Sequence, residues 1–121
     1  QKIVHLIGVR SNIPLFLYNS DLFVMSSAWE GLPIALTEAT ISGLPCVVTD
    51  VGGCSEIIKR SNNGTVVEPR NSQALADAIT SLVKDKSLIE QMSKNAVDSA
   101  DEYSISKAAD LHINLYQSML S

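Results

Sequence analysis

The chain has 121 residues, a hydrophobic content of 45% and a formal net charge of −4 at pH 7. This length predicts a single domain over residues 1–121 that can bury a core. The net negative charge and the scattered basic residues argue against electrostatic binding to nucleic acid.

The residue types that bind metals or form disulfides are few. Cys46 and Cys54 are the only cysteines, and their positions predict buried or incidental free thiols instead of a disulfide, which fits a reducing cytoplasm. His5 and His112 are too far apart in sequence to predict a metal site. The chain begins at Gln1, without a leader pattern or an apolar run of membrane length, so we expect a piece of a longer protein.

The first quarter of the chain predicts a strand and a short helix. The apolar run Ile3–Ile7 is stopped by Gly8 and predicts the first strand of a buried parallel sheet. A short helix with Pro14 in its first turn follows. Arg10 lies between the two elements, where an exposed loop cation is the ordinary interpretation.

The centre of the chain predicts a strand that turns directly into a helix. Asp21–Met25 predicts a buried strand, and the chain then turns through Gly31 and Pro33. Pro33 suits the first helical position because it has no N–H group to leave unpaired. The free N–H groups of the first helical turn, with the positive end of the helix dipole behind them, predict an anion site.

Two carboxylates flank this turn, Glu30 in the loop and Glu38 inside the helix, eight residues apart. Eight helical residues span at most about 12 Å. A carboxylate and a phosphate repel each other, so the two acids are better suited to accept hydrogen bonds from hydroxyl groups on either side of a phosphate. A sugar nucleotide has this layout. Each acid also has an interpretation that involves no ligand. Glu38 could equally complement the positive charge of the helix start or bind a backbone group, and a loop residue such as Glu30 is more often simply solvated. The apolar neighbours of Glu38 on nearly every side predict a buried helix.

The second half of the chain predicts two further strands, a helix from about Ser55 to Lys59 and three helices in the last third. The strand that begins at Cys46 ends before Gly52, which we expect in a tight turn with positive φ. Asn63-Gly64-Thr65 predicts a turn before a strand instead of a glycosylation site. Three apolar helical faces are expected to cover the sheet. They consist of Leu75, Ile79, Leu82 and Val83; of Leu88, Ile89, Met92 and Ala96; and of Ile105, Ala108, Ala109, His112, Leu115, Tyr116 and Met119.

Strands that alternate with helices predict an α/β fold, a Rossmann-like open parallel sheet flanked by helices, with the ligand at the carboxyl ends of the strands. The segment Ser26–Ala39 resembles the E-x7-E signature of family-four retaining glycosyltransferases with the GT-B fold. Gly43–Ile58 and Asn63–Pro69 resemble the strands and the glycine-rich loop that follow this signature. The resemblance covers nearly the whole chain and implies a partial GT-B C-terminal domain.

The resemblance implies a role for each residue of the motif. Glu38 binds the ribose hydroxyls of the donor nucleotide, and Glu30 lies beside the transferred sugar as the catalytic carboxylate. Arg10 lies either in solvent or against the nucleobase. The backbone between the two acids holds the sugar and the diphosphate, with Pro33 contributing shape only; this segment comprises Gly31, Leu32, Pro33, Ile34 and Ala35. The family's basic pair, an Arg and a Lys that neutralise the diphosphate, lies upstream of this sequence.

The resemblance predicts retaining transfer of a hexose from a nucleoside diphosphate sugar, without metal or cofactor, to a saccharide or lipid-linked acceptor. The acceptor would bind a missing N-terminal domain, which could also contact the inner face of the membrane, and the fragment alone would be inactive. Strand Ile3–Ile7 would lack its neighbours and would have to re-pair, dimerise or leave an exposed edge. Two alternatives stay open: another GT-B enzyme of the sugar nucleotide epimerase or glycogen synthase type, and a non-enzymatic α/β nucleotide-binding or interaction module.

Overall fold

The computed structural model describes residues 3–120, except for the side chains of residues 108 and 111. Three strands alternate with helices along this part of the chain. In chain order the elements are α1 (Ile13–Tyr18), β1 (Phe23–Met25), α2 (Ile34–Ile41), β2 (Cys46–Thr49), α3 (Cys54–Ser61), β3 (Gly64–Val67), α4 (Ser72–Lys84), α5 (Lys86–Ser99), a 3₁₀ helix (Ala100–Tyr103) and α6 (Ile105–Leu120).

The three strands form one parallel sheet in the order β1-β2-β3. Strand β2 lies in the centre and is buried along its whole length, as its continuous apolar sequence requires. Because all three strands are parallel, Met25, Thr49 and Val67 end at the same edge of the sheet. This carboxyl edge is the place where parallel sheets bind ligands.

The hydrophobic core lies between the sheet and helices α2 and α3. Its buried members are Leu36, Ala39, Leu44, Cys46, Val48, Cys54 and Ile58. Both cysteines are buried and free, as predicted, and burial raises the pKa of Cys46 to about 12.

A buried polar side chain ties the start of β3 to helix α2. Asn63 is fully buried, and its amide nitrogen donates to the Thr40 hydroxyl at 3.2 Å and to the Leu44 carbonyl at 2.9 Å. The Ser61 hydroxyl donates to the Asn63 side-chain oxygen at 2.6 Å. The left-handed residue is Asn62, which ends α3 one position before the predicted turn, and Gly64 and Thr65 already belong to β3. The buried amide of Asn63 excludes it as a glycan acceptor in the folded chain.

The predicted strand at residues 3–7 is wrong. These residues form no regular element and make no backbone hydrogen bond among the described residues, and Ile3 and Leu6 are 90% and 96% exposed. A strand needs a neighbouring strand for its N–H and C=O groups. Within residues 3–120, β1 pairs with β2 alone. Within residues 3–120 this apolar segment does not re-pair with another strand, and dimerisation through it stays a prediction.

The predicted packing of the last two apolar faces on the sheet is also wrong. Helices α4 and α5 form where predicted, but only α4 packs on β2 and β3, while α5 packs chiefly on α2, α3 and α4. Helix α6 forms too, but it packs chiefly on the 3₁₀ helix, and Ile105 and Met119 are 88% and 73% exposed. The 3₁₀ helix before α6 packs on α2 and α5, which carries α6 away from the strands. Strand β1, predicted to be buried, is shorter than predicted and leaves Val24 40% exposed, because only α2 packs closely on it. No helix in the described part of the chain is long and apolar enough to cross a membrane.

Candidate functional site

The candidate site is built on the turn between β1 and α2, at the carboxyl edge of the sheet. Helix α2 begins at Ile34, one residue later than predicted. Pro33 is its N-cap residue instead of its first helical residue. Pro33 has φ −81° and ψ 71°, outside the helical region, so that the chain enters the helix at an angle. The N–H group of Ile34 turns back to the Leu32 carbonyl at 2.9 Å.

The first turn of α2 leaves backbone donors available. No side chain caps this helix, and the N–H groups of Ala35 and Leu36 have no partner within residues 3–120. The helix dipole adds positive charge at the same place. Two backbone donors at the start of α2 are therefore free to bind an anion, and the anion site stays a prediction.

Glu30 is held in the loop before these donors. Its side chain is half-buried, and its Oε1 atom accepts a hydrogen bond from the Ser27 hydroxyl at 3.0 Å. The carbonyl of Ser27 in turn accepts from the hydroxyl of Thr49, the last residue of β2, at 2.6 Å. The loop that carries Glu30 is thus fastened to the central strand.

A second loop packs directly on the first. Gly52 has the predicted positive φ, +52°, and a Cβ atom at this position would lie 2.6 Å from the Glu30 carbonyl oxygen and 2.9 Å from that of Gly31. The next residue, Gly53, lies near Pro33, since its Cβ would be 3.8 Å from Pro33 Cδ. Only glycine permits this approach of two backbones. The contact brings the start of α3 beside the start of α2.

The charge of Glu30 reaches the start of α3. Burial is the largest cause that raises the pKa of Cys54, the first residue of α3, and a hydrogen bond with the Val51 backbone opposes it. The carboxylates of Glu30 and Asp50 raise that pKa further by disfavouring the thiolate. The Glu30 and Asp50 carboxylates therefore lie close enough to the first turn of α3 to affect the ionisation of its thiol.

Glu38 lies on the exposed side of α2, away from the core. The prediction of a wholly buried helix is wrong, because α2 buries Leu36, Ala39 and Thr40 but leaves Ile34 60% exposed. The sheet contacts only one side of the helix, so that the apolar residues opposite remain at the surface. Glu38 lines a cavity of about 190 Å³ between α2 and α1, whose other walls are Ile13, Pro14, Leu17, Tyr18, Ile41 and Ser42.

The cavity at Glu38 does not extend to Glu30. Glu30 is absent from the walls of the cavity that contains Glu38. Leu32 and Pro33 line a different cavity of about 280 Å³, on the side of α3 and Tyr103. Gly31 and Ala35 are exposed beside them, and Arg10 lies in the exposed segment that precedes α1. Within the described residues, no cluster of three or more His, Cys, Asp or Glu could hold a metal ion.

Comparison with known proteins identifies the family. The model of the family described as glycosyl transferases group 1 matches residues 1–98. The chain belongs to this family. The resemblance recognised from the Glu30–Glu38 segment is confirmed at the level of the family, while the roles of the individual residues stay predictions.

Two relatives from the glycosyltransferase family show how much of a complete enzyme the chain represents. It is 34% identical over 117 residues to the N,N'-diacetylbacillosaminyl-diphospho-undecaprenol alpha-1,3-N-acetylgalactosaminyltransferase of Campylobacter jejuni. It is also 34% identical over 121 residues to the UDP-Gal:alpha-D-GlcNAc-diphosphoundecaprenol alpha-1,3-galactosyltransferase of Escherichia coli. The alignments cover 97% and 99% of this chain, respectively. The chain spans only 31% of the length of each relative.

A solved structure confirms the predicted fold class. HepE of Anabaena, solved in complex with UDP, superposes with a TM-score of 0.81 at 26% identity, over 93% of this chain and 31% of that protein. The parallel sheet flanked by helices is the GT-B arrangement of these glycosyltransferases, of which this chain is a part.

The sequence prediction for this glycosyltransferase segment missed Ser27 and Thr49. Ser27 stands three residues before Glu30, and this spacing in a loop is compatible with a side-chain hydrogen bond, so a signal was present. Thr49 is 22 residues further along the chain than Ser27. Its contact depends on the pairing of β1 with β2, which the local pattern does not specify.

Proposed function

We propose that this chain is the donor-binding part of a retaining glycosyltransferase that transfers a hexose from a nucleoside diphosphate sugar to a saccharide or lipid-linked acceptor. Membership of the glycosyl transferases group 1 family supports this proposal. Further support comes from the UDP bound to HepE and from the sugar nucleotide and diphosphoundecaprenol acceptor named for the E. coli relative.

One observation carries the proposal: α2 begins without a side-chain cap at the carboxyl edge of β1. The N–H groups of Ala35 and Leu36 can donate to a diphosphate, and the helix dipole favours the negative charge. The start of α3, also without a side-chain cap, adds a second positive helix end close by.

The acids take complementary roles on either side of these donors. Glu38 accepts hydrogen bonds from ribose hydroxyls, and the apolar walls of its cavity, such as Ile13 and Ile41, offer contact area to the nucleoside. Glu30, held by Ser27, lies beside the transferred sugar. Catalysis is then mainly positioning, with stabilisation of the charge that grows on the leaving diphosphate.

The remaining parts of the enzyme belong to the length that this chain does not cover. A basic Arg and Lys pair would neutralise the diphosphate, and an N-terminal domain would bind the acceptor. A lipid-linked acceptor would place the enzyme in the cytoplasm at the inner face of the membrane. The 121 residues alone would then bind donor weakly and transfer no sugar.

The test is calorimetric titration of the complete protein with UDP, GDP and ADP. We expect binding of at least one nucleotide, and about tenfold weaker binding in Glu38→Gln, because the neutral amide accepts hydroxyl hydrogen bonds less strongly than the carboxylate. The matched control is Glu90→Gln on α5, which removes an exposed carboxylate from the opposite edge of the sheet. Absence of binding with all three nucleotides would contradict the proposal.

A further inference from the structure

Glu30 differs from Glu38 in how firmly the structure holds it. Within residues 3–120, the Glu38 side chain has no hydrogen-bond partner, whereas Oε1 of Glu30 accepts from the Ser27 hydroxyl at 3.0 Å. One oxygen of Glu30 is thereby engaged, and Oε2 has no partner among these residues. A carboxylate fixed through one oxygen presents the other in a defined direction.

The group that fixes Glu30 is itself anchored in the core. Thr49 is 3% exposed and ends the central strand β2. Its hydroxyl donates to the Ser27 carbonyl at 2.6 Å. The position of Ser27 is therefore set by the most buried strand of the sheet, although Ser27 lies in a loop.

The loop that follows β2 also packs against the backbone of Glu30. Gly52 belongs to the loop that follows β2, and its missing side chain lets that loop lie against the Glu30 and Gly31 carbonyls. Both the side chain and the main chain of Glu30 are thus positioned by the segment from Thr49 to Gly52. This arrangement exceeds what a solvated loop carboxylate needs.

We propose that Ser27 is a positioning residue for the reaction: it orients the Glu30 carboxylate toward the transferred sugar, with Thr49 holding Ser27 in place. The inference rests on the proposed function, because it takes Glu30 as the carboxylate beside the sugar. Ser27 contacts Glu30 and acts through it. Its removal should slow the chemical step and leave nucleotide binding intact, since a displaced reacting group can cost one to two orders of magnitude in rate.

The test uses the complete protein and measures release of nucleoside diphosphate from UDP-, GDP- and ADP-hexoses, with nucleotide affinity from calorimetry. We expect Ser27→Ala to lower kcat about tenfold and to change the nucleotide Kd by less than about twofold. Ser27→Thr keeps the hydroxyl and should restore kcat. Ser20→Ala, which removes an exposed hydroxyl bonded to the Phe16 carbonyl, is the matched control and should match wild type.

A double-mutant cycle separates positioning from general support of the loop. If Ser27 acts through Glu30, Ser27→Ala in the Glu30→Gln background should cause no further loss of kcat. A full additional loss in that background would overturn the inference, as would wild-type kcat in Ser27→Ala when Glu30→Gln is impaired. A protein that binds none of the three nucleotides, or a Glu30→Gln variant with wild-type kcat, would instead overturn the proposed function of the site and the inference with it.

Discussion

Helices α2 and α3 begin differently from helices α4 and α5. Helices α2 and α3 start without a side-chain cap. Helices α4 and α5 are capped: the Asn71 side chain accepts from the Ala74 N–H at 2.9 Å, and the Asp85 carboxylate accepts from the Leu88 N–H at 3.0 Å. A side-chain cap contributes about 1 kcal/mol. The chain thus forgoes this stabilisation at α2 and α3, as it also does at α1 and the 3₁₀ helix. What sets α2 and α3 apart is that their starts lie beside the Glu30 loop.

The two open helix ends act together because they are neighbours. The near contact of Gly53 with Pro33 joins the start of α3 to the start of α2. The partial positive charges of the two helix starts therefore lie in neighbouring segments, and Glu56 adds a carboxylate to the first turn of α3. At the start of α4 and of α5, one backbone N–H group already donates to the side chain of the N-cap residue. The comparison predicts that substitutions at the open ends change binding and that substitutions at the capped ends change stability.

The largest effect is expected when an acid closes the open end of α2. Ala35→Asp places a carboxylate beside the free N–H groups, where it competes with the diphosphate and repels it. We expect UDP, GDP or ADP, whichever binds the complete protein, to bind at least about 100-fold more weakly, while the free energy of unfolding rises by about 0.5 kcal/mol from the helix dipole. Calorimetry and urea unfolding measure the two quantities.

The matched control for Ala35→Asp is Ser87→Asp. Position 87 is the second residue of α5, as position 35 is of α2; both are exposed, and each lies three residues before a glutamate. The control should stabilise the protein similarly and leave nucleotide affinity unchanged. Undiminished nucleotide binding in Ala35→Asp would show that the open end of α2 does not hold the diphosphate.

A smaller loss is expected from Gly52→Ala. The substitution forces a left-handed backbone on alanine and places a Cβ 2.6 Å from the Glu30 carbonyl oxygen, so we expect about 1–3 kcal/mol of destabilisation and a loss of transfer rate. Gly43→Ala is the control, since Gly43 has φ +81° but its Cβ would meet only the Val97 side chain. Equal kinetics in the two variants would show that the contact with Glu30 is irrelevant to the reaction.

The capped helices should respond in stability only. Asn71→Ala and Asp85→Ala each remove one cap, and each should lower the free energy of unfolding by about 1 kcal/mol as measured by urea denaturation. Nucleotide affinity should stay at the wild-type value. A loss of affinity without a loss of stability would reverse the division of roles between the two pairs of helices.

The smallest effect concerns the thiol at the start of α3. The Glu30 carboxylate contributes to the raised pKa of Cys54, so Glu30→Gln should lower that pKa by removing a negative charge near the thiolate. A pH titration followed by the ¹³Cβ shift of Cys54 measures the change. Glu90→Gln serves as control, and an unchanged pKa in Glu30→Gln would place the two groups too far apart to interact.

The sequence predicted the elements that depend on local pattern. The apolar run of β2, the helix after Pro33 and the positive φ of Gly52 follow from short-range rules, and the structure confirms them. Ile3–Ile7 has the composition of a strand, yet a strand exists only beside a partner, and the described residues supply none for it.

Tertiary contacts decided what the sequence missed at the site. The apolar sequence of α2 predicted burial on all sides, but one helix face meets the sheet and Glu38 lies on the other. The Thr49 to Ser27 hydrogen bond requires the register of β1 with β2, which pairs Met25 with Val48. No local periodicity contains this register.

The most direct test of the open helix ends is amide NMR of the ¹⁵N-labelled complete protein during titration with UDP, GDP and ADP. The amide resonances of Ala35 and Leu36 should shift with at least one nucleotide. Those of Ala74 and Leu88 should not, because their N–H groups already donate to the Asn71 and Asp85 side chains. Shifts confined to α4 and α5, or no shift at α2 with any of the three nucleotides, would contradict the account.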